Sequence, residues 1–179
     1  MRLLVVAVGL LVAAAPLHGQ MVVTTDTLDA QRRDVRDILV VLRDSLHTVE
    51  AAAAQFDRGH TSASVELLYS RGRTIKNACT RSLRNIGPAR EVVKADDWGD
   101  EYRTMRQNQV LEAMDVLEES VNACQSVWDG LVTPENAEQI RTAGPAEADS
   151  ITKAIHDYGA VVSGYYKALG IYVSPAGVS

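Results

Sequence analysis

Asp44, His47 and Glu50 follow one another at three-residue spacing. On a helix that spacing forms one face, and it supplies half of the carboxylate–histidine pattern that holds metal ions inside helical bundles. The face points the wrong way. Leu42 and Val49 belong to an apolar stripe, which directs His47 away from the core and leaves Asp44 and Glu50 beside it on the outside. His156 faces outward for the same reason, set against Ile151 and Tyr158, and His60 falls in a turn after Gly59. No metal site is expected. Haem fares no better: there is no Cys-x-x-Cys-His attachment motif. A b-type site would need inward Met and His ligands, whereas Met21 precedes the first helix and His156 points away. No cofactor is expected.

Carboxylates on the third apolar segment give a similar answer. Glu112, Asp115, Glu118 and Glu119 lie off the stripe that carries Leu117 and Cys124. They read as a solvated face, not as a buried acid–base or di-iron centre, which needs carboxylates held inside. No Ser/His/Asp arrangement is evident either, and the chain is not expected to be an enzyme.

Two further sets of residues point to binding. Tyr158, Tyr165 and Tyr172 share a line on the last apolar segment, and Gly72 leaves room opposite a large side chain. Packing with hydroxyls at the bundle rim accounts for them. The sharper expectation is a candidate ligand pocket between helices, built from Tyr69, Gly72, Trp128, Tyr158 and Tyr165. The second set is the run from Ile38 to Leu42, apolar around the whole helix circumference, so that Val40 and Val41 cannot all be core. Contiguous exposed apolar surface marks interfaces, which makes Ile38, Val40 and Val41 a candidate contact with a protein partner or a second copy.

The elements that must position these residues are helices. From about Thr27 to Asp57, Leu28, Val35, Leu42, Val49 and Phe56 recur every seven residues, a sustained amphipathic helix of the kind found in bundles. Thr25 or Asp26 suits its start and Gly59 its end. A second segment opens near Thr61, with Val65, Gly72, Cys79, Ile86 and Val93 on its stripe. A third runs from about Asp100 to Leu131, with Val110, Leu117 and Cys124. Thr133-Pro134 starts a short extra helix to about Thr142, Gly144-Pro145 breaks the chain, and a last helix covers about Ala146 to Leu169. No strand-like alternation persists. The fold expected is all-α: an up-down-up-down four-helix bundle with a short extra helix before the last, in one domain over 20–172, followed by a flexible tail over 173–179.

Ahead of the first helix lie Arg2 and the apolar run Leu3 to Leu17, ending at His18 and Gly19. A short basic start, an apolar stretch of about 7–15 residues and a small residue describe a secretory signal peptide. It occupies 1–19 with a cut after about Gly19, and the run is shorter than the ~20 residues of a membrane span. No cysteine near the cut offers a lipid attachment. Removal of Arg2 leaves 17 basic against 23 acidic residues, a net charge of −6, which argues against nucleic acid or an anionic membrane as partner. Periplasmic or secreted location makes a Cys79–Cys124 disulfide the natural expectation.

That bond constrains the topology. A turn at Gly87-Pro88 would leave Cys79 eight or nine residues before it and Cys124 about 36 after, a mismatch of roughly 40 Å along the helices. A disulfide accepts about 4.4–6.8 Å between α-carbons. With the turn at Trp98-Gly99-Asp100, Cys79 lies 20 residues before Gly99 and Cys124 25 after, and the mismatch falls to about 7–8 Å. The second helix therefore continues past Pro88, kinked there, to about Trp98. Charge agrees: residues 60–95 carry a net +5 and residues 96–131 a net −7. The sequence points to an exported non-enzymatic helical bundle acting through protein contact, as a structural or accessory envelope component or a binding domain. The alternative is a small-molecule or cofactor-binding bundle with a tyrosine-lined interior.

Overall fold

The structure, a computed structural model, describes residues 25–171, apart from the side chains of residues 25, 26 and 134. The expected signal peptide over 1–19, Tyr172 and the tail over 173–179 lie outside the described residues. Four helices account for nearly all of it: α1 (Thr25–Asp57), α2 (Val65–Ala95), α3 (Glu101–Leu131) and α4 (Ala137–Leu169), with one 3₁₀ turn over Pro134–Asn136 before α4. No strand occurs among the described residues.

Each helix buries one stripe, and on α1, α2 and α3 its members alternate three and four residues apart. On α1 it is Val35, Leu39, Leu42, Leu46, Val49, Ala53 and Phe56; on α3 it is Val110, Met114, Leu117, Val121, Cys124 and Trp128. Such a stripe can be hidden only against other helices. Here α1 packs on α2 and α4, α3 packs on α2 and α4, and all four contribute to a single core. Each buried Leu, Ile or Val contributes roughly 1.5–3 kcal/mol of transfer free energy.

Local chemistry sets the helix ends. Ser64 caps α2, its hydroxyl accepting from the Leu67 amide at 3.3 Å, and Asp100 caps α3, accepting from the Arg103 amide at 2.8 Å. α2 thus opens at Val65, later than Thr61, because Thr61 and Ser62 belong to the turn that precedes the cap. Val65, the first residue after the cap, is exposed instead of core. The break between α2 and α3 falls at residues 96–100, where Gly99 takes φ +66°, a left-handed conformation that glycine adopts without strain. Gln107 is buried at this end. Its amide donates to the carbonyls of Val93 and Asp96, groups that the end of α2 would otherwise leave without partners.

Between α2 and α3 the contacts run in opposing sequence order. Lys76 pairs with Asp129, Cys79 and Cys124 lie at disulfide-bonding distance with α-carbons 6.5 Å apart, and Arg90 pairs with Asp115 at 2.9 Å and with Glu118. The opposite charges of the two segments thus meet across this seam, each exposed pair contributing about 0–1 kcal/mol.

Two glycine–proline pairs behave differently from simple chain breakers. Pro88 lies inside α2 without ending it; its ring is on the exposed side, between buried Ile86 and Ala89. Gly144-Pro145 does not break the chain either. The short helix expected over 133–142 is not separate: only the 3₁₀ turn is, and α4 runs unbroken from Ala137 through Gly144-Pro145 to Leu169. The buried positions explain why. Ile140, Gly144 and Ala148 come at successive spacings of four before the three–four alternation resumes at Ile151. An extra spacing of four locally unwinds a bundle helix while keeping its stripe facing the core. Burial of the stripe on both sides of the proline outweighs its helix cost of about 3 kcal/mol.

Candidate functional site

The histidines come together in a way their spacing does not reveal. His47 is exposed, as expected, but its Nδ1 lies 2.7 Å from Glu50 Oε2, and His156 Nε2 on α4 lies 3.1 Å from Glu50 Oε1. Glu50 is the half-buried centre of a cluster that ties α1 to α4. Only the i, i+3 half is legible in sequence; the partner on α4 depends on helix packing. Among the described residues no group of three His, Cys, Asp or Glu side chains is placed to hold a metal ion. His60 sits at the end of α1 with Nδ1 2.9 Å from the Asp57 carbonyl and its ring stacked over Phe56.

The aromatic residues divide between the two ends of the molecule. At one end, Trp128 is fully buried and meets Phe56 edge to face, with ring centres 4.9 Å apart. Gly72 and Gly144 flank it. A Cβ on Gly72 would stand 3.1 Å from the indole and 2.8 Å from Val132, and one on Gly144 would stand 2.6 Å from the Phe56 ring. One residue from each helix builds this plug, and the indole itself occupies the room that Gly72 leaves. Tyr69 is half-buried one turn earlier. At the other end, the Trp98 Nε1–H donates to the Tyr165 hydroxyl at 2.9 Å, both side chains buried.

Gly144, which contacts Trp128, and Tyr165 are 21 residues apart on α4, or about 30 Å along the helix. The structure therefore joins Gly72 to Trp128 and does not bring Tyr165 to them. Tyr158 lies between, buried, its hydroxyl without a hydrogen-bond partner among the described residues. Burial drives the phenols of Tyr158 and Tyr165 well above their ordinary range, and that of Tyr166 to about 12. All three stay protonated and neutral under physiological conditions, which suits packing and hydrogen bonding, not proton transfer.

Ile38 and Val41 lie in an open groove of about 560 Å³ between the start of α1 and the end of α2. Val41 is 50% exposed. Val92 completes an apolar floor, and Asp34, Asp37 and Asp96 stand around it. Val40 is not part of this face. It is half-buried between Arg36 and Arg43, the two guanidiniums whose field reaches Tyr166 on α4.

The carboxylates are unequal. Asp37 is held by Arg36 at 2.8 Å. Asp96 has one oxygen sealed from solvent and without a hydrogen-bond partner among the described residues. Burial, with the Asp34 charge across the groove as a second cause, pushes its carboxyl up to about 6. The valine run in α1 is readable from sequence. That the end of α2 and its carboxylate lie against it is not, because this depends on the register between two helices.

No protein-family model, curated protein or solved structure matches the chain. What the site can do is therefore set by its own chemistry. The described residues offer an apolar groove with an acidic rim, and a core filled by the Trp128 indole where Gly72 and Gly144 meet it.

Proposed function

We propose that the chain is an exported, non-enzymatic helical bundle of up-down-up-down topology, bent at Pro88, that works by protein contact as an envelope component or binding domain. The observation that carries this reading is the open groove in which exposed Val41 stands beside half-buried Ile38 and Val92, with acidic residues at its rim. Seating a partner side chain on that floor would take its apolar surface out of water. Export rests on the apolar run Leu3 to Leu17. It is supported by a buried cysteine pair at bonding distance, which persists in an oxidising periplasmic or extracellular setting. No helix among the described residues is long and apolar enough to cross a membrane.

The alternative, a small-molecule or cofactor-binding bundle with a tyrosine-lined interior, draws support from the Tyr158 hydroxyl and Trp128 N–H, both without a hydrogen-bond partner among the described residues. The packing of Trp128 into the space beside Gly72 and Gly144 weighs against it.

A photo-crosslinking residue at Val41, compared with one at Val116 on the exposed face of α3, tests the contact reading in cells that export the protein. Discrete adducts from Val41 alone are expected. Adducts from neither position, or equally from both, refute a contact at this groove.

A further inference from the structure

We propose that the groove between α1 and α2 receives a short basic amphipathic segment of a partner protein, with an aliphatic side chain seated on Ile38, Val41 and Val92 and a Lys or Arg placed between Asp34 and Asp96. The inference rests on the contact reading above and specifies the partner's chemistry.

Charge selects this occupant. Asp34 and Asp96 both line the groove, and the Asp34 charge adds to the burial that raises the Asp96 carboxyl. Neither has an ion-pair partner among the described residues. Asp37 pairs with Arg36 at 2.8 Å, and Lys94 lies one turn beyond Arg90, which pairs with Asp115 and Glu118 on α3. Two carboxylates that repel one another, one with an oxygen shut off from water, form a site that a single cation relieves.

A second copy of this chain is the wrong occupant. Self-association through the groove would bring four uncompensated carboxylates together over the same apolar strip, and like charges so placed cost several kcal/mol. Anionic lipid and nucleic acid are disfavoured by the same sign of charge. Size sets the rest. From Asp34 to Val41 is seven residues, about 10 Å or two helical turns. A partner helix matched to this length offers one aliphatic anchor with a basic residue three or four positions away.

The test uses the oxidised, isotope-labelled protein and a synthetic amphipathic peptide of Leu, Ala and Lys, with its Leu–Ala–Glu counterpart as control. Titration followed by amide chemical shifts is expected to perturb residues 34–41 and 92–96. The Asp34→Asn/Asp96→Asn variant should bind roughly tenfold more weakly, and Val41→Ser should weaken binding with the carboxylates intact. Thermal melting establishes that both variants remain folded. The inference is overturned if the Glu peptide binds equally well, if the shifts map to the acidic face of α3, or if the double variant binds as the parent does. Should the Val41 crosslinker capture a partner while the Lys peptide fails these criteria, the contact reading stands and the basic-segment inference falls. If the crosslinker captures nothing and the Lys peptide also fails, both fall.

Discussion

Replacing Gly144 and Gly159 by alanine, one at a time, should move stability in opposite directions although both lie inside α4. Gly to Ala in a helix interior ordinarily gains about 1 kcal/mol, because alanine loses less backbone freedom on folding. At Gly159 nothing lies within 4 Å of the added methyl, so most of that gain should appear. At Gly144 the methyl would stand 2.6 and 2.8 Å from two carbons of the Phe56 ring and 3.2 Å from Trp128. Phe56 is fully buried and pinned edge-on by Trp128, so the ring has little room to retreat. Overpacking of a core costs about 1–3 kcal/mol, and the upper part of that range applies. After the helix gain is subtracted, Gly144→Ala should lose about 2 kcal/mol.

Thermal melts followed by circular dichroism should show Tm falling by roughly 4–8 °C for Gly144→Ala and rising by about 2–3 °C for Gly159→Ala. Phe56→Leu, costly alone, should recover part of the Gly144→Ala loss in the double variant, a coupling that marks direct contact. If Gly144→Ala melts as high as Gly159→Ala, Gly144 does not pack against Phe56, and the continuity of α4 through Pro145 loses its explanation.

Reduction of the Cys79–Cys124 bond, or its replacement by two alanines, should cost about 4 kcal/mol for a closed loop of this length; a urea midpoint indifferent to reductant would refute the bond. Asp96 should make stability pH-dependent. Its folded pKa, near 6, lies above the unfolded value near 3.8, so the folded state holds the proton more tightly and stability falls as pH rises from about 4 through 6. Allowing for solvent screening of a part-exposed group, the loss is about 1 kcal/mol. Unfolding of Asp96→Asn should lack this step, and an unchanged pH profile would contradict the burial assigned to the carboxylate.

Helical periodicity carried much of the fold. Apolar residues three and four apart locate α1, α2 and α3, and the cysteine spacing places the break near Gly99 because a disulfide has a fixed reach. Gly144-Pro145 defeats the same kind of reasoning. Local propensity says that a glycine followed by a proline ends a helix, whereas in the protein this glycine is the only residue small enough to let α4 lie against Phe56 and Trp128. The benefit arises on α1 and α3, and nothing in the sequence of α4 displays it. The candidate site follows the same division. The apolar circumference of α1 flags Ile38 and Val41, but Asp96 joins them only through the packing of α1 on α2. Likewise His47 and His156 share Glu50 only because α1 lies beside α4, and Tyr165 and Gly72, both on core stripes, sit at opposite ends. Periodicity gives the face of a helix; it gives neither its neighbour nor its height.

The disulfide joins α2 to α3 and leaves α1 and α4 outside the covalent loop. The protein is thus a closed hairpin clasped by two long arms. Packing and single hydrogen bonds, such as Trp98 to Tyr165 and Ser82 to the Ser45 carbonyl, hold the arms to it. Packing and the Glu50 cluster hold them to each other. In an unfolding landscape of separate cooperative units, the arms belong to the lower-energy openings and the hairpin to the last structure lost. The acidic groove spans the joint between one arm and the hairpin, so whatever settles there fastens that arm in place.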